Sequence, residues 1–175
     1  MVEGEAGRKK DYSPNAVHMV RTAQQAHFQL SAMADQKASL LMAATFVIFT
    51  ITIGQTKGAA TPLPLLILGG AAFLAAVCAI LAVIPTIKGP GGARANLLFF
   101  GSFAGLGEEE YVARMDDLLR DDRDIYAAMA RDIYQNGSVL ARKKYRLLGY
   151  AYRIFLAGLI LSALAFALIY AGHMR

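Results

Sequence analysis

The sequence predicts an all-α membrane protein, with three transmembrane helices and a cytosolic helical stalk continuous with the first and third spans. Three observations predict it. First, 56% of the 175 residues are hydrophobic, and they gather into three uncharged runs: between Lys37 and Lys57, between Lys57 and Lys88, and between Arg153 and His173. About 20 residues at ~1.5 Å rise cover the ~30 Å hydrocarbon core of a bilayer. In lipid the backbone must satisfy its own polar groups, so such runs are helices. Second, the charge is one-sided. With the N-terminus in the cytosol, all but Lys57 and Arg175 of the 18 Lys and Arg residues lie inside, as the positive-inside rule favours. Topology thus accounts for the net charge of +5, and nucleic acid is not an expected partner. Third, two stretches keep the 3,4 spacing of a helical seam right up to a span.

Taken in order, residues 1–12 are charged, lack apolar periodicity and are expected to be disordered. The first apolar run starts at Ala38, behind a long polar segment, which does not fit a cleaved signal peptide. Ser13-Pro14 supplies a capping hydroxyl and a proline at a helix start. A cytosolic helix is predicted over 13–37, with Ala16, Met19, Ala23, Ala26, Leu30, Met33 and Lys37 as its seam. No proline or glycine lies between Asn15 and Ile53, so the helix continues as transmembrane helix 1 over 38–56. Gly54, Gly58 and Thr61 to Pro64 turn the chain outside.

Transmembrane helix 2 is placed at 65–85, with Ala71, Ala75 and Ala79 as a small-residue ladder for close packing. Pro85 and Gly89-Pro90-Gly91-Gly92 mark the return to the cytosol. Residues 86–152 form a cytosolic loop and helices. Within them, the apolar insert Asn96 to Phe103 must be covered by the helix bundle or by the bilayer interface. Glu108 to Glu110 open one helix with acids at its positive end, and Asp121-Asp122 break it from the next. The second seam then runs Tyr126, Ala130, Ile133, Gly137, Leu140, Lys144, Leu147, Ala151, Ile154 into transmembrane helix 3 over 153–172. That span carries two ladders, Ala163/Ala167/Ala171 and Gly158/Ser162. Both seams run from cytosol to exterior, so spans 1 and 3 are expected to be parallel neighbours.

No catalytic set emerges, and the protein is not expected to be an enzyme or to carry a cofactor or metal. His18, His27 and His173 lie far apart. Asp116, Asp117, Asp121, Asp122 and Asp124 fan around helix axes and suit a solvated face and a helix break. Gly89 to Gly92 lacks the Lys-Ser/Thr of a phosphate loop. The lone Cys78 has no disulfide partner or metal-site spacing. The spans hold no internal charge, which argues against a proton-coupled transporter or voltage sensor. Thr45, Thr52 and Gln55 share a face of span 1, either as interhelical glue or as one wall of an oligomeric pore. The run Arg142-Lys143-Lys144-Tyr145-Arg146 reads two ways. It is a juxtamembrane anchor on anionic headgroups, or a site for an anionic nucleotide, with arginine on phosphate and tyrosine stacked on a base.

Several motifs occur in a fixed order: Asp35-Gln36-Lys37-Ala38-Ser39 before the first span, Asn96-Leu97-Leu98-Phe99-Phe100-Gly101, Glu109-Glu110-Tyr111, Arg131-Asp132-Ile133-Tyr134, and Leu140 to Tyr145 before the last. This set, spread from about His18 to Tyr170, resembles the transmembrane effector family of the Pycsar antiphage systems. The resemblance implies an effector in the bacterial inner membrane; the charge bias gives it a cytosolic N-terminus and an external C-terminus. The resemblance also implies that a cyclic pyrimidine mononucleotide, made in response to phage, is the signal, and that the effector impairs the membrane; the seams add the expectation of a homo-oligomer. Its ligand is expected at the stalk base, with Asn96, Phe100, Arg142, Lys143 and Arg146 as nucleotide-binding residues. Asp35 and Ser39 share a helix face while Lys37 continues the seam, so Asp35, Lys37 and Ser39 form an expected coupling joint between stalk and span. The alternative is a non-enzymatic membrane scaffold that recruits a cytosolic partner through the stalk.

Overall fold

The structure, a computed structural model, describes residues 12–55, 61–85 and 95–173. Of the stretch 1–12 expected to be disordered, residues 1–11 lie outside the described residues, as does the Gly89 to Gly92 turn. The elements are α1 (Ala16–Gln55), α2 (Leu63–Val83), a single turn α3 (Phe100–Phe103), α4 (Glu108–Leu118), α5 (Asp122–Val139), a π-helical turn (Leu140–Tyr145) and α6 (Arg146–His173). There is no strand among the described residues, and three helical runs are long and apolar enough to cross a membrane. Two of them are too long for that alone. The 40 residues of α1 extend about 60 Å, and the 52-residue run from Asp122 to His173 extends over 75 Å at helical rise. Each therefore crosses ~30 Å of hydrocarbon and still leaves several turns at a polar end.

Local chemistry sets the breaks. Asn15 N–H donates to Ser13 Oγ (3.3 Å) just before α1 begins. Asp121 has an extended backbone and accepts from Arg123 N–H (2.9 Å), capping α5 and separating it from α4. Glu108, Glu109 and Glu110 occupy the first turn of α4.

The middle of the membrane bundle is α2, with α1 on one side and α6 on the other. Spans 1 and 3 are therefore separated by α2 and meet little in the apolar region, unlike the neighbours the seams suggest. The reason is the size of the α2 side chains. Gly69, Ala72, Ala75, Ala79 and Ala82 are buried, and small residues let two helices approach at once. A Cβ on Gly69 would stand 2.7 Å from Thr52 Cγ2 of α1, and one on Gly158 of α6 would stand 2.1 Å from Ala71 Cβ. Of the two ladders on α6, Gly158/Ser162 is the packed one. Ser162 Oγ donates to Pro64 O (2.7 Å), whereas Ala163, Ala167 and Ala171 are exposed.

Thr45 and Thr52 are buried, and their hydroxyls donate to their own helix at Met42 O and Ile48 O (2.9 Å each). Within one chain they are packing groups, and Gln55 is exposed. At the polar end, α1 packs against α5 and the π turn. There the second seam is used: Leu140 and Ala151 belong to the core cluster with Ala34, Ala38 and Leu41. The first seam is not. Met19, Leu30 and Met33 are 72%, 40% and 48% exposed.

Candidate functional site

The face of α1 that packs lies one residue beyond the apolar seam, and it is polar and small: Gln24, His27, Ser31, Ala34, Ala38. Each polar member has a counterpart on α5 or the π turn. The centre is Asp132, 4% exposed. Its Oδ1 accepts from Asn96 Nδ2 and Asn136 Nδ2 (3.0 Å each), and its Oδ2 from Gln24 Nε2 (3.3 Å). Amide donors on a buried carboxylate offset its desolvation. The cluster therefore ties three segments, α1, α5 and the 95–99 loop, to one side chain. Below it His27 rests on the glycine surface of α5. A Cβ on Gly137 would stand 2.9 Å from His27 Cε1.

Nearer the apolar run lies a second set of cross-links. Lys144 Nζ reaches both Asp35 oxygens (2.8 Å each) and Ser31 Oγ (2.9 Å). Tyr145 O–H donates to Leu30 O, and Tyr152 O–H to Lys37 O (3.2 Å each). Lys143 Nζ donates to Ile84 O (2.8 Å), the C-cap residue of α2, where a cation suits the negative end of the helix. All but the Tyr152 bond, which comes from α6, are made by the π turn. A π turn inserts one residue into an α-helix and so re-aims the side chains on either side.

The residues singled out from sequence occupy different places. Asn96 is 8% exposed and fully engaged: Nδ2 serves Asp132 and Gln135 Oε1 (2.9 Å), and Oδ1 accepts from Leu98 N–H (3.0 Å). Phe100 is exposed and lies against Phe99 at 5.1 Å between ring centroids. Arg142 and Arg146 are exposed, and Lys143 is committed to α2. The partner of Asn96, Asp132, precedes Arg142 by about three helical turns, ~15 Å, so Asn96 and the basic run are not brought together. Asp35 pairs with Lys144, Lys37 contributes its carbonyl, and Ser39 Oγ donates to Asp35 O (3.0 Å) within α1.

What sequence reasoning missed is an open, shallow cleft of about 680 Å³ between α4, α5 and the 95–97 loop; its volume, though not its enclosure, is that of small-molecule sites, ~300–1,000 Å³. Ala95 and Leu97 form one wall, Arg114, Asp117 and Leu118 the α4 wall, and Asp124, Ala127, Ala128 and Arg131 the α5 floor. Tyr111 steadies the α4 wall, with its ring 4.9 Å from Phe103 and its hydroxyl on Leu97 O (3.4 Å). The available signal was the 3,4,7 spacing of Asp124, Ala127, Ala128 and Arg131, which puts all four on one helix face.

The body so defined is a helical membrane protein with a cleft between α4, α5 and the 95–97 loop and no strand among its described residues. A sequence model of the Pycsar effector protein domain matches residues 18–171. The chain belongs to that family, which makes it a membrane effector of antiphage defence. No curated protein and no solved structure matches it.

Proposed function

We propose that this effector responds to a cyclic pyrimidine mononucleotide by repacking its helices and breaching the membrane, as a homo-oligomer and without catalysing a reaction. The observation that carries the reading is the 52-residue helical run from Asp122 to His173. It begins at a small-molecule-sized cleft, passes the Asp132 cluster and the Lys144 cross-links, and ends in the third span. A shift at its first turns has a rigid path into the apolar bundle. The polar end faces the cytosol, and the termini are cytosolic (N) and external (C), because the basic residues are concentrated at that end. Lys37, Arg142 and Arg146 are placed to meet anionic headgroups there.

The test is release of a trapped dye from liposomes holding the purified chain. Addition of 3′,5′-cyclic UMP or cyclic CMP is expected to trigger release, with cyclic AMP inert. Absence of release with either pyrimidine nucleotide, together with harmless co-expression beside a cyclase that makes them, would overturn the reading. Co-purification of a cytosolic protein in that case would favour the scaffold instead.

A further inference from the structure

The α5 floor of the cleft has a charge pattern that specifies a ligand. Asp124, Ala127, Ala128 and Arg131 follow one another at i, i+3, i+4 and i+7, so a carboxylate and a guanidinium stand two turns, about 10 Å, apart on one face. Two methyl groups form the flat ground between them. Arg131 has no ion pair or hydrogen bond among the described residues, whereas Arg120 is held by Asp116 and Asp117 and Arg114 by Glu110. Leu97 lines the same cleft.

We propose that this cleft is the nucleotide seat: Arg131 holds the phosphodiester, the base lies on Ala127 and Ala128 under Leu97, and Asp124 accepts a hydrogen bond from an N–H of the base edge. This inference rests on the proposed response to a cyclic pyrimidine nucleotide and replaces the basic run at Arg142 to Arg146 as its place of binding. The chemistry fits a small monoanion with a flat ring and a donor edge. Arginine gives a phosphate two parallel hydrogen bonds, and a carboxylate accepts from ring N–H or amino groups. The cleft carries two arginines and two aspartates, so it has no net charge to attract a nucleoside triphosphate or a nucleic acid strand, which discriminates against polyanions.

The seat also explains how occupancy would be felt. Arg131 is the residue before Asp132, and Ala95 and Leu97 flank Asn96. The Asn96–Asp132 hydrogen bond thus joins the two walls that the ligand touches, and Asp132 in turn holds Gln24 of α1. A ligand that draws Leu97 and α4 down onto α5 strains or re-aims that bond.

The experiment is equilibrium dialysis of labelled cyclic UMP and cyclic CMP against the full chain in nanodiscs. Arg131→Gln is expected to weaken binding about 10- to 100-fold, and Ala128→Leu, which fills the floor, to abolish it. Asp124→Asn, at an exposed position, adds a variant that leaves the fold intact if Ala128→Leu does not melt like the parent. If the parent binds and these three variants bind as well as it does, or if Arg146→Gln alone weakens binding, the seat is overturned while the response to the nucleotide stands. If the parent binds neither nucleotide, the functional reading fails and the seat with it.

Discussion

At the scale of single residues, the described glycine with the least room for a side chain is Gly158, which faces Ala71. A methyl group on Gly158 would overlap the Ala71 methyl at 2.1 Å, so α2 and α6 are held at a separation that only glycine permits. Gly158→Ala is expected to cost about 1–3 kcal/mol through overpacking, read as a lower melting temperature in detergent. Moving the methyl across the interface, with Gly158→Ala and Ala71→Gly together, returns the space and is expected to recover most of that loss. If the double variant melts no higher than the single one, the contact is not what sets the spacing. The polar side chains obey a different rule. Asp132 is tolerated at 4% exposure because three amides donate to it. Those donors come from three segments, so its burial fixes how the segments meet. Asp35 and Lys144 do the same nearer the apolar run, one ion pair joining α1 to the π turn.

At the scale of elements, the spans were plain in the sequence because hydropathy and charge define them with little interference. The packed face of α1 was not. Apolar periodicity picks out Met19, Leu30 and Met33, which are exposed, while the face that packs one residue on carries Gln24, His27 and Ser31. Its partners are Asp132, Gly137 and Lys144, of which the last two do lie on the second seam, but the polar α1 side of the contact leaves no trace in a hydrophobic pattern. The second seam was legible because Leu140 and Ala151 are apolar as well as packed. The candidate ligand residues fared differently again: a run of basic residues is conspicuous in sequence, whereas the cleft depends on α4 standing off α5, which no local pattern encodes. The π turn was also illegible, since its sequence, Leu140 to Tyr145, is ordinary helix former. Its contribution can be isolated by deleting Ala141, an exposed residue within it. Removing one residue takes out the one that the π turn accommodates and restores α-helical winding, so the faces on either side keep their alignment toward α1. Deleting the exposed Arg142 as well leaves nothing to absorb the loss and turns the face of Asp132 and Gly137 about 100° from that of Lys144 and Ala151. We expect the single deletion to insert and to resist limited proteolysis like the parent, and the double deletion to insert but become protease-sensitive at the polar end. Protease sensitivity already in the single deletion would show that the turn absorbs no extra residue.

At the scale of the whole molecule, one chain leaves its α1 seam uncovered. In the apolar run an outward Leu40, Val47 or Ile51 meets lipid and requires nothing further. In the polar segment Met19, Leu30 and Met33 meet water, where exposed apolar side chains in a row mark a contact surface. Residues 22–34 carry no Lys, Arg, Asp or Glu in a chain of net charge +5, so identical copies can face one another there without like-charge repulsion. The membrane adds the geometry. In the homo-oligomer proposed above, every copy inserts with the same orientation and depth, so α1 helices would meet in parallel and in register, with each seam residue opposite its own equivalent, as in a parallel coiled coil. Burying a Met or Leu side chain stabilises by about 1.5–3 kcal/mol, so a few such layers repeated between copies suffice to hold an assembly already confined to two dimensions. Leu30→Glu with Met33→Glu places carboxylates opposite carboxylates at two successive layers. The variant is expected to insert and melt like the parent, because neither side chain is part of the packed face, yet to run as a monomer where the parent cross-links into higher species in native membranes. If parent and variant give the same cross-linked ladder, the copies associate elsewhere, and the outward alanines of α6, Ala163, Ala167 and Ala171, are the next surface to block.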